Sequence, residues 1–337
     1  MRNKKNIKLF NDISGKTKKV ILFFMSINLC AILINAQSII FLNAKKNFNE
    51  GNYEDSKNLF NTIGKNTSEY GESRYYLGRI FFSTRNFDES IEYFQEAIAA
   101  NNKNADYYFW LGNSYGEKAM LSNMVEQAFL AKKILKNWET GVKLDSTHQG
   151  LRWGLMNFYS QAPSIMGGNM EKAYKAADEL NKLRYPDGFE AKGYVYERDK
   201  KKEMAEKSFK EAINASPKEL KFYYALAYFY LRQNKINESI ELFVKIIDIN
   251  PQEANAHFEM GRLYSSNNKM LDQGKEHLTR YLQMADPNNK NGISKAYYYL
   301  GNIYKSQGDK TNAKKHYEKA LSLDPTFIEA KHALEKL

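Results

Sequence analysis

Five histidines, His148, His257, His277, His316 and His332, are the side chains best able to ligate a metal or carry a proton near neutral pH. No two of them stand at a metal-site spacing with a third ligand close by. His257 falls where a packed core side chain is expected. The sequence contains no GxSxG turn for a nucleophilic serine, no GxxxxGK[ST] loop to cradle phosphates and no HExxH zinc motif. Asp286-Pro287 and Asp324-Pro325 read as helix exits, and Glu89, Glu92 and Glu96 as a solvated helix face. No catalytic residue, cofactor site or metal site is expected, and the chain does not read as an enzyme. The remaining chemistry is recognition, carried by 24 tyrosines, 20 phenylalanines and 3 tryptophans among scattered Asn and Arg.

These side chains need a folded frame. At 337 residues, with 43% apolar, 14% aromatic and 26% charged residues, the chain has the make-up of a folded protein and not of a disordered one. Two ordinary domains or one repeat array fit this length. The formal charge of +11 is unevenly placed. Residues 1–36 hold seven basic residues against Asp12, which leaves 43 basic and 38 acidic residues for the other 301. Such a mild surplus gives no clustered basic face, so no nucleic-acid partner is expected.

Laid against itself, the chain shows a period of 34 residues. Residues 294–327 carry Leu300-Gly301, Tyr304, Gly308, Ala313, Tyr317, Ala320 and Pro325. The spacing recurs in 71–104 (Leu77-Gly78, Phe81, Ser90, Phe94, Ala97), in 186–219 (Gly193, Tyr196, Ala205, Phe209, Ala212, Pro217) and in 220–253 (Leu226-Ala227, Tyr230, Ser239, Phe243, Ile246, Pro251). Looser copies occupy 37–70, 105–148, 149–185 and 254–293. Each unit reads as two helices of about 14 residues. Small residues such as Gly193 and Gly301 admit the partner helix, aromatics fill the gap, and proline closes the second helix. Phe327 to Leu337 reads as a capping helix, which an open-ended array requires. Two copies hold extra residues. Those at 119–128, with Met120, Leu121, Met124 and Val125, are expected to lengthen the helices and bury their apolar side against the next repeat. Those at 162–168, with Pro163 and Gly167-Gly168, are expected to form a shaped turn.

The eight copies resemble the tetratricopeptide repeat (TPR) family over about 37–337, most specifically in 186–253 and 294–325. The stretch from Leu130 to Gly168 also resembles a group of exported bacterial repeat proteins. The resemblance implies an all-α, right-handed superhelical solenoid whose first helices line a concave groove, and a protein or peptide partner held there. In this family the fifth and ninth positions of each first helix face the groove, one turn apart on one stripe. The fifth positions here are Phe41, Tyr75, Phe109, Trp153, Glu190, Tyr224, Phe258 and Tyr298. The ninth are Lys45, Arg79, Asn113, Asn157, Tyr194, Tyr228, Arg262 and Asn302. The resulting expectation is an aromatic ladder for an extended segment. Asn113, Asn157 and Asn302 would hydrogen-bond its backbone, and Arg79 and Arg262 would meet carboxylates. An alternative is a receptor for a glycan or peptide nutrient, with Trp153 and its neighbours stacked on sugar rings.

The N-terminus reads as an export signal. Residues 20–34, VILFFMSINLCAILI, contain thirteen apolar residues of fifteen and follow Lys18 and Lys19. Cleavage is expected between Ala36 and Gln37. The alternative is an uncleaved inner-membrane anchor, the only route to a membrane that this reading foresees. Either way residues 37–337 would lie outside the cytoplasm, periplasmic or envelope-associated. Leu29 before Cys30, the only cysteine, argues against a lipid-attachment signal, and cleavage would leave a chain without disulfides.

Overall fold

A computed structural model of the protein describes residues 37–337. The apolar run 20–34, Cys30 and Ala36 lie outside the described residues. Among the described residues there are helices and turns and no strand. The helices are α1 (37–49), α2 (Tyr53–Asn61), α3 (Tyr70–Ser83), α4 (Phe87–Ala100), α5 (Ala105–Met120), α6 (Met124–Leu144), α7 (Gln149–Gln161) and α8 (Met170–Leu183). They continue as α9 (Asp187–Arg198), α10 (Lys202–Ala215), α11 (Leu220–Arg232), α12 (Ile236–Ile249), α13 (Ala254–Ser266) and α14 (Leu271–Met284). The last are α15 (Lys290–Ser306), α16 (Lys310–Leu323) and α17 (Ile328–Glu335). From α2 to α7 and from α9 to α17 consecutive helices pack on one another, the layout of a TPR solenoid. Two compact units divide at Ala176/Ala177, within α8.

Local signals start and stop the helices. The side chains of Asn104, Asn123 and Asp309 accept hydrogen bonds from backbone N–H groups in the first turns of α5, α6 and α16. Pro217, Pro251 and Pro325 follow two residues after the ends of α10, α12 and α16. The turn inside a hairpin needs a left-handed residue. Gly51 and Gly308 meet this demand without a Cβ, at φ +80° and +81°. Arg85, Lys200, Asn234 and Asn268 adopt the same conformation, and the 34-residue repeat links 51 to 85 and 200 to 234 to 268.

Apolar clusters join the described hairpins of the first unit. Phe41, Ala44, Phe60, Ile63, Leu77 and Ile80 fuse the first hairpin to α3. Ile91, Phe94, Leu111, Tyr115, Leu130 and Ile134 do the same for α4 to α6. Phe60 and Phe94 are wholly buried, each contributing roughly 1.5–3 kcal/mol by leaving water. Small residues let the helices close. Ser56 Oγ donates to the Ala44 carbonyl and Ser90 Oγ to that of Gly78, each at 2.9 Å across its hairpin.

In the second unit Phe209 and Phe229 centre one cluster, Phe243 and Met260 a second, and Leu278 and Ile303 a third. A Cβ on Gly193 would fall 2.5 Å from the Phe209 ring, and one on Gly301 would fall 2.5 Å from that of Tyr317. Glycine therefore sets the helix separation at both positions.

The two insertions differ in outcome. Residues 119–128 do lengthen the helices, with α5 reaching 16 residues and α6 reaching 21. Their apolar side chains are not buried: Met120, Leu121, Met124 and Val125 project into solvent. Residues 162–168 form a short 3-10 turn, Ser164–Met166, closed by Gly167 at φ +105°.

Candidate functional site

Each unit holds its own set of fifth and ninth positions on its first helices. In the first unit Tyr75, Arg79, Phe109, Asn113, Trp153 and Asn157 are all half-buried, whereas Phe41 is inside the core. Tyr75 and Arg79 meet directly: an Arg79 Nη1–H donates to the Tyr75 hydroxyl at 2.9 Å. The Arg79 guanidinium also lies 3.9 Å from the centre of the Trp110 ring. Tyr75 stacks on Tyr107 at 5.3 Å. Phe109 packs on Trp110 and on His148, at 5.5 and 5.1 Å. Asn113 makes no side-chain hydrogen bond among the described residues, while Asn157 borders an apolar hollow beside Trp138 and Phe158.

His148 caps α7. Its Nδ1 accepts the Leu151 N–H at 3.1 Å, so its Nε2 carries the proton facing Asp106 Oδ1 at 3.2 Å. The hydrogen bond to Asp106 raises the His148 pKa, and in turn lowers that of Asp106.

In the second unit Tyr194, Tyr224, Phe258, Arg262, Tyr298 and Asn302 are half-buried, and Tyr228 is exposed. Tyr224 and Tyr228 stack at 6.1 Å, and their hydroxyls donate to Glu253 at 3.1 Å and Glu259 at 3.3 Å. Burial raises both phenols, that of Tyr228 to about 12, and the facing carboxylates add to it. Arg262 holds Glu259 with Nε at 2.7 Å and Nη2 at 2.6 Å. Phe258 lies 5.0 Å from Tyr281. Tyr298 lies 5.1 Å from Phe327, and Asn302 Oδ1 accepts the Tyr317 hydroxyl at 2.7 Å. Tyr298 and Asn302 border an open hollow of about 670 Å³ that also presents Lys295, Lys305 and Glu329.

Glu190, the one acidic fifth position, is pushed up to about 7 by burial. Lys221, which pairs with the buried Asp187 at 2.5 Å, opposes that shift.

Along the stripe Tyr75 meets Arg79, Glu190 meets Tyr194 and Tyr224 meets Tyr228, while Tyr298 and Asn302 border one hollow. Several groups assigned to a ligand already hold internal partners. Arg262 grips Glu259, Arg79 lies on Trp110, and Asn302 accepts from Tyr317. A ligand carboxylate would share these cations with the partners they have.

Sequence reading missed Trp110, Glu253 and Glu259, which lie off the stripe and reach it across a turn or a hairpin. It also missed the contact between His257 and His277, whose Nδ1 atoms are 2.9 Å apart. His257 itself is packed as expected. Among the described residues no three His, Cys, Asp or Glu side chains are arranged to hold a metal.

Comparison with known proteins agrees with this fold. Models described as tetratricopeptide repeat match residues 187–219, 220–253 and 294–327, and one described as TPR repeat matches 78–118. A curated relative, UDP-N-acetylglucosamine--peptide N-acetylglucosaminyltransferase of Caenorhabditis elegans, is 32% identical over 80 residues, 24% of this chain. The chain spans only 7% of the length of that protein. A tetratricopeptide repeat protein from Parabacteroides merdae superposes with a TM-score of 0.51 at 13% identity, covering 89% of this chain and 98% of that one. The TPR protein YrrB, whose structure is described as having an unusual peptide-binding site, gives a TM-score of 0.37 at 18% identity, covering 72% and 98%. With four matched repeats on helix pairs that pack as this family's do, this chain carries tetratricopeptide repeats.

Proposed function

We infer that the protein is an exported scaffold whose units each hold an extended segment of a protein partner along their own first-helix stripe. TPR proteins in general bind protein or peptide partners, and this fold presents the means. The observation that carries the reading is the recurrence, in both units, of a half-exposed aromatic with a polar or second aromatic side chain one turn later. Aromatic faces take apolar side chains of the segment, and Asn113 offers a donor and an acceptor to its backbone. Glu253 and Glu259, which hold the hydroxyls of Tyr224 and Tyr228, fix those two rings for contact.

The test is selection from a random peptide library on the immobilised full chain, followed by titration of the selected peptides. Tyr228→Ala and Asn113→Ala are expected to weaken binding about tenfold or more, as truncating a central contact does. Glu241→Ala, on the exposed face of α12, is expected to leave it unchanged. Equal affinity for all the variants would refute the stripe as the binding face.

Export belongs to the same reading and is supported by the Lys18-Lys19 start, the apolar run and Ala36. The chain recovered from the cell envelope is expected to begin at Gln37. A chain still carrying Met1 in the cytoplasmic fraction would contradict export.

A further inference from the structure

The longest hairpin of the first unit overhangs its neighbours. Helix α6 has 21 residues where α4 has 14, an excess of about 10 Å at 1.5 Å per residue. At the overhanging turn stand Met120, Leu121, Met124 and Val125, between 69% and 82% exposed. The corresponding turn of the next hairpin carries Ile165, 87% exposed. Both turns join a first helix to a second, so they occupy one edge. Between them lies an apolar hollow of about 440 Å³, bordered by Met120 and Ala131 on one side and Pro163 and Met166 on the other. A group of large apolar side chains this exposed marks a contact surface.

We propose that this edge docks on an anionic lipid bilayer, with Met120, Leu121, Met124, Val125 and Ile165 entering the interface. Three observations choose a bilayer over a protein partner. First, Leu121, Met124, Val125 and Ile165 project from the tips of the turns, and none of them lines the hollow between.

Second, cations stand at the right depth. Lys132 and Lys136 are exposed, and Val125, Phe129, Lys132 and Lys136 share one face of α6 at helical spacing. Lys132 is seven residues from Val125, about 10 Å along the axis. Interfacial helices bury their apolar side to about 5–10 Å, so the lysines would meet the headgroup phosphates. The Lys133 ammonium lies 4.5 Å from the exposed Phe129 ring and extends the basic side. Of the carboxylates at this end, Asp88 and Glu126 face Lys118, Glu117 is half-buried, and Glu89 and Glu171 are exposed, so the cations that meet the bilayer are those along α6.

Third, the chain begins with a run suited to entering a bilayer, residues 20–34 behind Lys18 and Lys19. Whether that run anchors or is cleaved, it brings the folded part to a membrane face. This third argument rests on the export reading; the first two do not.

The test places an environment-sensitive fluorophore on the full chain, at Leu121→Cys, Ile165→Cys or Lys207→Cys, each with Cys30→Ser. The labelled chains are reconstituted with phosphatidylcholine vesicles, with and without phosphatidylglycerol, and quenched with a lipid-borne quencher. Labels at 121 and 165 are expected to shift to the blue and to be quenched several-fold more than that at 207, most strongly with phosphatidylglycerol. A label at 121 that behaves like that at 207 in both kinds of vesicle would overturn the proposal. So would a blue shift at 121 that appears without vesicles and grows with protein concentration, since a second copy would then cover the edge.

Discussion

Gly301→Leu is expected to lower stability by roughly 1–3 kcal/mol, the usual result of forcing extra volume into a packed helix contact. The cause is geometric. A Cβ alone would lie 2.5 Å from the Tyr317 ring, and leucine adds three more carbons. Tyr317 cannot retreat, because it is wholly buried, packs 6.0 Å from Tyr298, and gives its hydroxyl to Asn302. Helices α15 and α16 must therefore separate. Repeats contact only their neighbours, so the loss should be local. Amide exchange is expected to accelerate in α15–α17 and to stay unchanged in α2–α4. Gly308→Ala is a useful contrast. Nothing lies within 4 Å of its Cβ position, so its cost is only the backbone conformation at φ +81°, about 1 kcal/mol. An unchanged melting curve for Gly301→Leu would mean that this glycine does not set the helix separation.

Acid is expected to weaken the α13–α14 hairpin through His257 and His277. The hydrogen bonds fix the tautomers. His257 Nε2 lies 3.2 Å from the Pro251 carbonyl and so carries the proton. Its Nδ1 must then accept the Nδ1–H of His277 at 2.9 Å. A proton added to His257 would set two N–H groups head to head. One added to Nε2 of His277 would place a charge in a poorly solvated site, with Arg280 nearby opposing it and Glu276 favouring it.

Burial accordingly lowers both pKa values, that of His277 to about 4. A histidine depressed in the fold contributes its full stability above its unfolded value of about 6.5, and loses it as pH falls towards its folded value. The loss between about pH 6.5 and 4 should be on the order of 2 kcal/mol, after allowance for partial exposure to water. His148 works in the opposite sense, because Asp106 raises its pKa and its contribution fades as pH rises. Urea titrations of the wild type and of His277→Gln at several pH values separate the two effects. The variant should show a shallower acid decline. Parallel curves for the two proteins would exclude the pair as the cause.

Sequence alone made the hairpins legible because their contacts are written at fixed spacing. Gly193 meets Phe209 and Gly301 meets Tyr317, each 16 residues apart, so one turn length serves both. The stripe was legible for a similar reason, since residues four apart on a helix share a face. Its internal partners were not. Trp110 comes to Arg79 from the next hairpin, and Glu253 reaches Tyr224 across 29 residues. These contacts depend on how helices are set against each other, which no local spacing records. The same holds for His257 and His277, 20 residues apart on facing helices. At 119–128 the added length was readable, but the neighbour that would have buried Met120 and Val125 does not reach them.

The most direct test of the binding face is photo-crosslinking with a selected peptide. A photoreactive phenylalanine replaces Tyr228 or Asn113 on the stripe, or Glu241 on the exposed face of α12. The account predicts cross-links from positions 228 and 113 and none from 241. Cross-links from 241 alone would place the partner on the second helices and contradict the stripe as the binding face.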